Sequence, residues 1–221
     1  MGNAKAKTIV ASLLLAGSAL WLYLCLHKTP PQSEDKVHDA VGRVMAEEAA
    51  RLVGASGGVT LLARDTTVCP NPATDSQMKG FFAAARKLKL PLTATNWIKL
   101  DPLRPVRMPP GDFADILRKL NEGDAVVSFV GPPLLTAAQR AKLGDRKVRI
   151  LALCSGAMPQ QVDLRSLFEQ NLLHAAVISL PAPRRGPPPS DDAQAWFQLS
   201  FQLITPANLA ELPAPVPARG P

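Results

Sequence analysis

With 221 residues the chain has room for one or two domains, and its 47% hydrophobic and 19% charged content excludes a wholly disordered protein. Three cysteines and three scattered histidines exclude a knottin-like disulfide scaffold and a zinc-finger cluster. The net charge of +7 brings nucleic acid and anionic lipid forward as partners to test.

Lys5 and Lys7 precede an uncharged run from Thr8 to Leu26, and His27 and Lys28 restore polarity. Those nineteen residues, at roughly 1.5 Å each, make a helix of roughly 28 Å, close to the hydrocarbon thickness of a bilayer. Trp21 and Tyr23 stand toward its far end, where amphipathic rings favour the water interface. No second run of that length exists, so residues 1–28 read as a single-pass signal-anchor, with residues 8–26 in the membrane. Gly17-Ser18-Ala19 offers a signal-peptide cleavage site, but the apolar run continues through Leu20 to Leu26, which favours an uncleaved anchor. Leu24 before Cys25 argues against a lipid attachment site, and Ala6 stands where myristoylation needs Ser or Thr. Lys5 and Lys7 keep the short N-terminus inside. That puts the rest of the chain outside the inner (cytoplasmic) membrane, in the periplasm of a bacterium.

Residues 29–32 read as a linker, since Pro30-Pro31 resists helix. Ser33 then reads as an N-cap, with Glu34 and Asp35 complementing the helix dipole. Val37, Val41, Val44, Met45 and Leu52 keep an apolar face up to the glycine turn of residues 54–58. Val59 to Ala63 is an almost continuous apolar run, as for a strand covered on both faces. Met78, Phe81, Phe82, Ala85 and Leu88 follow helical spacing, and Leu92 to Leu100 is a more polar strand nearer an edge. Phe113, Ile116, Leu117 and Leu120 mark a helix, and Ala125 to Val130 is a strand closed by Gly131-Pro132-Pro133. A short helix follows over Thr136 to Leu143, then a strand over Val148 to Cys154. A helix carrying Val162, Leu167, Phe168 and Leu172 precedes the last core strand, Ala175 to Leu180.

This alternation predicts an α/β domain over residues 33–205: a doubly wound, mostly parallel five-stranded sheet with helices on both faces. Pro181 to Pro189, with Arg184 and Arg185, reads as a mobile proline-rich loop. Ala195 to Ile204 can add one more edge strand, antiparallel, and residues 206–221 read as a proline-rich disordered tail.

Ligands of open parallel sheets bind beyond the carboxyl ends of the strands, near the switch in strand order. The first strand ends in Arg64-Asp65-Thr66-Thr67, the third in Gly131 and the fourth in Ser155-Gly156. Asp65, Thr66, Thr67, Gly131, Ser155 and Gly156 are therefore the candidate ligand-binding residues; the plainer alternative is that they cap helices and shape turns. The familiar chemistries of this architecture are missing. Gly54, Gly57 and Gly58 precede the first strand, whereas a dinucleotide loop follows it, and there is no Walker A sequence. Val130-Gly131 stands where a receiver domain has its phosphoacceptor Asp, and Thr67 where a phosphatase motif needs a second Asp. Asp65 to Ser76 holds no glycine of a flavodoxin-like phosphate loop, and Ser155-Gly156 lacks the first half of a nucleophile elbow.

His27, His38 and His174 have no metal-ligand partner four residues on, so no catalytic residue, metal or cofactor is assigned. Cys69 and Cys154 read as free thiols, with a disulfide between them as the alternative. Lys79, Arg86, Lys87 and Lys89 populate one helix, and Arg140, Lys142, Arg146, Lys147 and Arg149 cluster later. Without interleaved aromatics this is a solvated basic face near lipid headgroups, not a specific nucleic-acid site. Trp196, Phe197 and Phe201 are candidates for a self-association edge.

The run from Ala49 to Gly54 and on through Gly58 to Ala63 resembles a lobe of the type I periplasmic binding proteins, where a helix ends in glycines before a hydrophobic strand opens the sheet. Gly123 to Val130 is similar to a strand pattern of the same family. The resemblance spans residues 33–181 and is one of architecture. Those proteins grip a small molecule between two such lobes, and the length here implies one. The expected function is a membrane-anchored, extracytoplasmic binding or protein-interaction module, non-enzymatic, whose partner is a protein or a small ligand. The alternative is an enzyme with a strand-end site around Asp65 and Ser155.

Overall fold

The computed structural model describes residues 14–23, 32–53, 57–99, 108–144, 147–184, 190 and 192–213. Two compact units divide the chain, Met1–Gln32 and Ser33–Pro221. In the first, residues 14–23 form helix α1 with every side chain exposed. Among the described residues no helix is long and apolar enough to cross a membrane. Residues 8–13 and 24–26 of the expected span lie outside the described residues, as does Cys25.

The second unit is built on a six-stranded sheet: β1 (Val59–Arg64), β2 (Leu92–Ile98), β3 (Ala125–Ser128), β4 (Arg149–Cys154), β5 (Ala175–Ser179) and β6 (Phe201–Ile204). The order is β2-β1-β3-β4-β5-β6, with every pair parallel except β5 with β6. The inner strands β1, β3, β4 and β5 are buried almost throughout, which is why they read as unbroken apolar runs, while β2 is largely exposed at the edge. Alternate residues feed two cores. Leu61 and Val127 pack with Val41 and Met45 of α2 (Gln32–Val53) and Phe81 of α3 (Pro72–Leu88). Leu62, Val126 and Ile150 pack with Phe113 and Leu117 of α4 (Pro110–Lys119) on the other face.

Helices α2 and α3 cross at two glycines: a Cβ on Gly42 would lie 1.9 Å from the Gln77 carbonyl oxygen, and one on Gly80 2.0 Å from that of Asp39. At the amino ends of the strands the buried carboxylate of Asp124 accepts the Gly58 N–H on Oδ1 and the Asn121 N–H on Oδ2, both at 2.8 Å.

Several expectations from the sequence are corrected. Ser33 lies inside the first turn of α2 rather than capping it. The single helix read across Val162 to Leu172 is two short ones, α6 (Met158–Gln161) and α7 (Leu164–Glu169), preceded by α5 (Ala137–Leu143). Val162 is extended, and Asp163 caps α7 by accepting the Ser166 N–H at 3.0 Å. Only the second half of Ala195–Ile204 is strand, because Asp192 caps helix α8 (Ala193–Phe197) through the Ala195 N–H at 2.7 Å. Phe197 and Phe201, 1% and 7% exposed, stack on each other in the core and so offer no self-association edge. Trp196 packs against the same core with the Lys36 ammonium 4.9 Å above its ring. Pro206–Glu211, read as tail, forms a 3-10 helix, and Leu209 and Leu212 cover the second core. Residues 185–189 of the expected loop and 214–221 of the tail lie outside the described residues.

Candidate functional site

The strand order reverses between β1 and β3, so the switch point lies at their carboxyl ends. There β1 delivers Arg64, the segment after β3 delivers Phe129 and Gly131, and Ser155 follows β4. With His38 of α2 and Asn71 and Gln77 at the start of α3, they line a cleft of about 360 Å³. Phe201, at the start of antiparallel β6, closes one side. Gly131 has φ +95°, and Ser128 Oγ donates to its carbonyl at 2.6 Å, folding the loop back over β3. Asn71 caps α3 by accepting the Thr74 N–H at 3.1 Å, which brings the positive end of a 17-residue helix to the cleft.

Two features make the cleft a set of fixed donors. Gln77, 7% exposed, presents its amide Nε2 to His38 Nδ1 at 3.3 Å, and the His38 ring meets Phe201 edge-on. Burial holds the His38 imidazole below its ordinary pKa, against the weaker upward pull of Glu34 and Asp35, and because the Gln77 amide nitrogen can only donate, Nδ1 is the acceptor of that bond. Arg64 lines the cleft, and its Nε is buried with no hydrogen-bond partner.

The structure places Gly131 and Ser155 on the cleft wall and the other four predicted residues off it. Asp65 closes its own turn: Oδ1 accepts Thr67 Oγ1–H at 2.6 Å and Thr67 N–H at 3.0 Å. Those two bonds hold the Asp65 carboxyl below the usual carboxylate range. Thr66 donates to Asp75 at 2.8 Å, and Gly156, at φ +64°, accepts from Ser179 at 3.2 Å. Arg64, His38, Asn71 and Gln77 are missing from the sequence-based set. Arg64 sits one residue before it, and Asn71-Pro72 is a legible helix start; His38 and Gln77 reach the cleft from helix faces that only packing defines.

Cys69 and Cys154 are both free thiols. Cys154 is buried at the end of β4, and burial pushes its pKa up to about 12. In native protein at pH 8, iodoacetamide should alkylate partly exposed Cys69 and leave Cys154 untouched until denaturant is added; peptide mass spectrometry reads both. Native labelling of Cys154 would show that β4 opens. Among the described residues no cluster of His, Cys, Asp and Glu is placed to hold a metal.

No protein-family model matches the chain, and no curated protein matches it in sequence. Solved structures match its fold. A carbohydrate-transporter solute-binding protein from Agrobacterium radiobacter, in complex with D-arabinose, superposes with a TM-score of 0.52 at 14% identity, covering 79% of this chain and 61% of that one. An ABC-transporter solute-binding protein from Agrobacterium vitis, bound with α-D-tagatopyranose, gives 0.51 at 13% identity over 79% and 58%. A substrate-binding protein of a sugar ABC transport system from Bordetella parapertussis gives 0.51 at 14% over 80% and 58%. The resemblance to type I periplasmic binding proteins therefore holds at the level of fold, and the chain spans about three-fifths of the length of these proteins.

Proposed function

We propose that this chain is a membrane-anchored, extracytoplasmic binding module, non-enzymatic, that holds a small polyhydroxyl ligand of monosaccharide size in the strand-end cleft. The observation that carries this reading is the composition of the cleft: Arg64, Gln77 and Ser155 line it at the switch point together with Phe129 and Phe201. Its 360 Å³ falls at the small end of ligand sites, which run from about 300 Å³ upward. Phe129 and Phe201 give the cleft an apolar wall against the C–H groups of a sugar, while the amide and guanidinium satisfy its hydroxyls. The sugar ligands of the proteins sharing this fold support the class, and the apolar run of residues 8–26 supports the anchor.

The test is a titration of the full chain, held in phosphatidylcholine nanodiscs, with D-arabinose, D-tagatose and other monosaccharides, followed by calorimetry and thermal melting. One sugar should bind saturably and raise Tm, by the amount expected of a ligand that favours the native state. Arg64→Ala and Gln77→Ala should each weaken it about tenfold or more, since each removes a polar anchor. Asp65→Ala should leave binding unchanged, whereas an enzyme built on Asp65 and Ser155 would lose turnover. A cooperative melt that no monosaccharide shifts would overturn the ligand reading and leave a protein partner as the module's role.

A further inference from the structure

A cavity of about 990 Å³ lies at the opposite end of the sheet from the strand-end cleft. It wraps the amino ends of β4 and β5, taking in Val148 to Ile150 and His174, and reaches Thr205 and Pro206 after antiparallel β6. Its apolar wall is aliphatic, built from Leu117, Leu143, Ile150 and Leu172, with no Phe, Tyr or Trp among the described residues. Among the described residues the charge on its lining is one-sided: Arg140, Lys147 and Arg149 face one acid, Glu48, whose Oε2 already lies 2.5 Å from Arg51 Nη2. Lys147 lies 3.7 Å from the exposed Glu122, a pair too solvated to neutralise it.

Arg140 carries the argument further. Its Nη1 donates to Gln170 Oε1, and its Nε is buried with no hydrogen-bond partner. Glu48 Oε2 also lacks hydrogen-bond geometry, but the Arg51 charge stands beside it. A buried N–H left unpaired is costly, so the resting pose of Arg140 is not its most satisfied one. An acceptor inside the cavity draws the fork out of that pose, and the Nε–Nη2 edge matches a carboxylate side-on. His174 adds a second donor. Its Nδ1 accepts the Ile150 N–H at 3.2 Å, so the neutral ring carries its proton on Nε2.

We propose that this cavity is a second binding site, for an aliphatic carboxylate: the head group on Arg140 and the chain along Leu117, Leu143 and Ile150. The aliphatic wall selects against flat aromatic ligands, which gain most from ring stacking. The excess of cations selects against neutral ones. The site is separate from the strand-end cleft and stands without any reading of it.

The full chain in phosphatidylcholine nanodiscs is titrated with octanoate carrying a carbon-13 carboxyl, with empty nanodiscs alongside. The expected result is a saturable shift of the carboxyl resonance and a rise in Tm with octanoate. Acetate should give neither, and octanol should bind at least about tenfold more weakly. Arg140→Met should weaken octanoate about tenfold and leave octanol unchanged, while Arg64→Ala should change neither. Octanol binding as tightly as octanoate, or Arg140→Met keeping full affinity, overturns the proposal. If Arg140→Met melts too low to assay, Leu143→Gln on α5 reads the apolar wall instead. Octanoate affinity unchanged in that variant also overturns it.

Discussion

Replacing Gly80 with alanine should destabilise the α/β unit by about 3 kcal/mol, and Gly42→Ala by a similar amount. The added methyl at Gly80 would stand 2.0 Å from the carbonyl oxygen of Asp39, and that at Gly42 1.9 Å from the carbonyl oxygen of Gln77 and 2.6 Å from the Phe81 nitrogen. These are backbone atoms in the facing helix, so no side chain can rotate out of the way. Relief requires α2 and α3 to separate, which opens the contacts of Val41 and Met45 with Phe81 in a core where all three are buried. Alanine's better helix propensity returns only about 1 kcal/mol. Urea unfolding followed by circular dichroism measures the loss, with exposed Lys79→Ala as a reference expected to stay within about 0.5 kcal/mol. The same change should loosen the strand-end cleft, because His38 and Gln77 come from these two helices. Gly80→Ala with wild-type stability would mean that the helices do not cross this closely.

The sheet was legible in the sequence and the helix crossing was not, for a physical reason. A strand buried on both faces is apolar at nearly every position, so β1, β3, β4 and β5 stand out as runs whatever surrounds them. Gly42 and Gly80 each sit in an otherwise ordinary helical pattern. The letters are the same whether a glycine faces water or a neighbouring backbone. The split at Asp163 is hidden because Val162, Leu167 and Phe168 read as apolar positions of one segment, while the cap at Asp163 starts a new helix. Trp196 and Phe197 run into Phe201 as one apolar stretch, yet the Asp192 cap gives the first part to α8. The candidate site shows the same division. The strand-end rule finds Gly131 and Ser155, because a strand's end is a sequence feature. It misses Arg64 because the last strand residue, not the first loop residue, turns into the cleft. Asp65, Thr66 and Thr67 instead satisfy one another or the first turn of α3.

Asp124→Ala should lower stability by about 3 kcal/mol through a different mechanism, the loss of a buried acceptor. Asp124 is 7% exposed, and its two oxygens take the N–H groups of Gly58 and Asn121. Alanine removes both bonds and leaves the Gly58 N–H buried without a partner. The Gly58 carbonyl accepts from Ala125 at 2.9 Å, so the two segments bracket each other at the start of β1 and β3. The Asp124 carbonyl in turn accepts from Arg149 at 3.0 Å, which carries the bracket on to β4. No Cβ can be added at Gly58 without meeting Thr93 Cγ2 at 2.3 Å, so the chain runs close to β2 there as well. One carboxylate therefore joins the amino ends of strands that are not consecutive in sequence, at the start of the β1–β3 pairing, where Val59 lies opposite Ala125. Asp124→Asn keeps one acceptor and should cost about half as much. Hydrogen exchange separates this from a general loss of stability: in Asp124→Ala the Gly58 and Asn121 amides should lose more protection than those of Leu61 or Val127. Equal loss at all four amides would mean that the bracket opens only with the whole sheet, and a change below about 0.5 kcal/mol would mean that water replaces the carboxylate at both N–H groups.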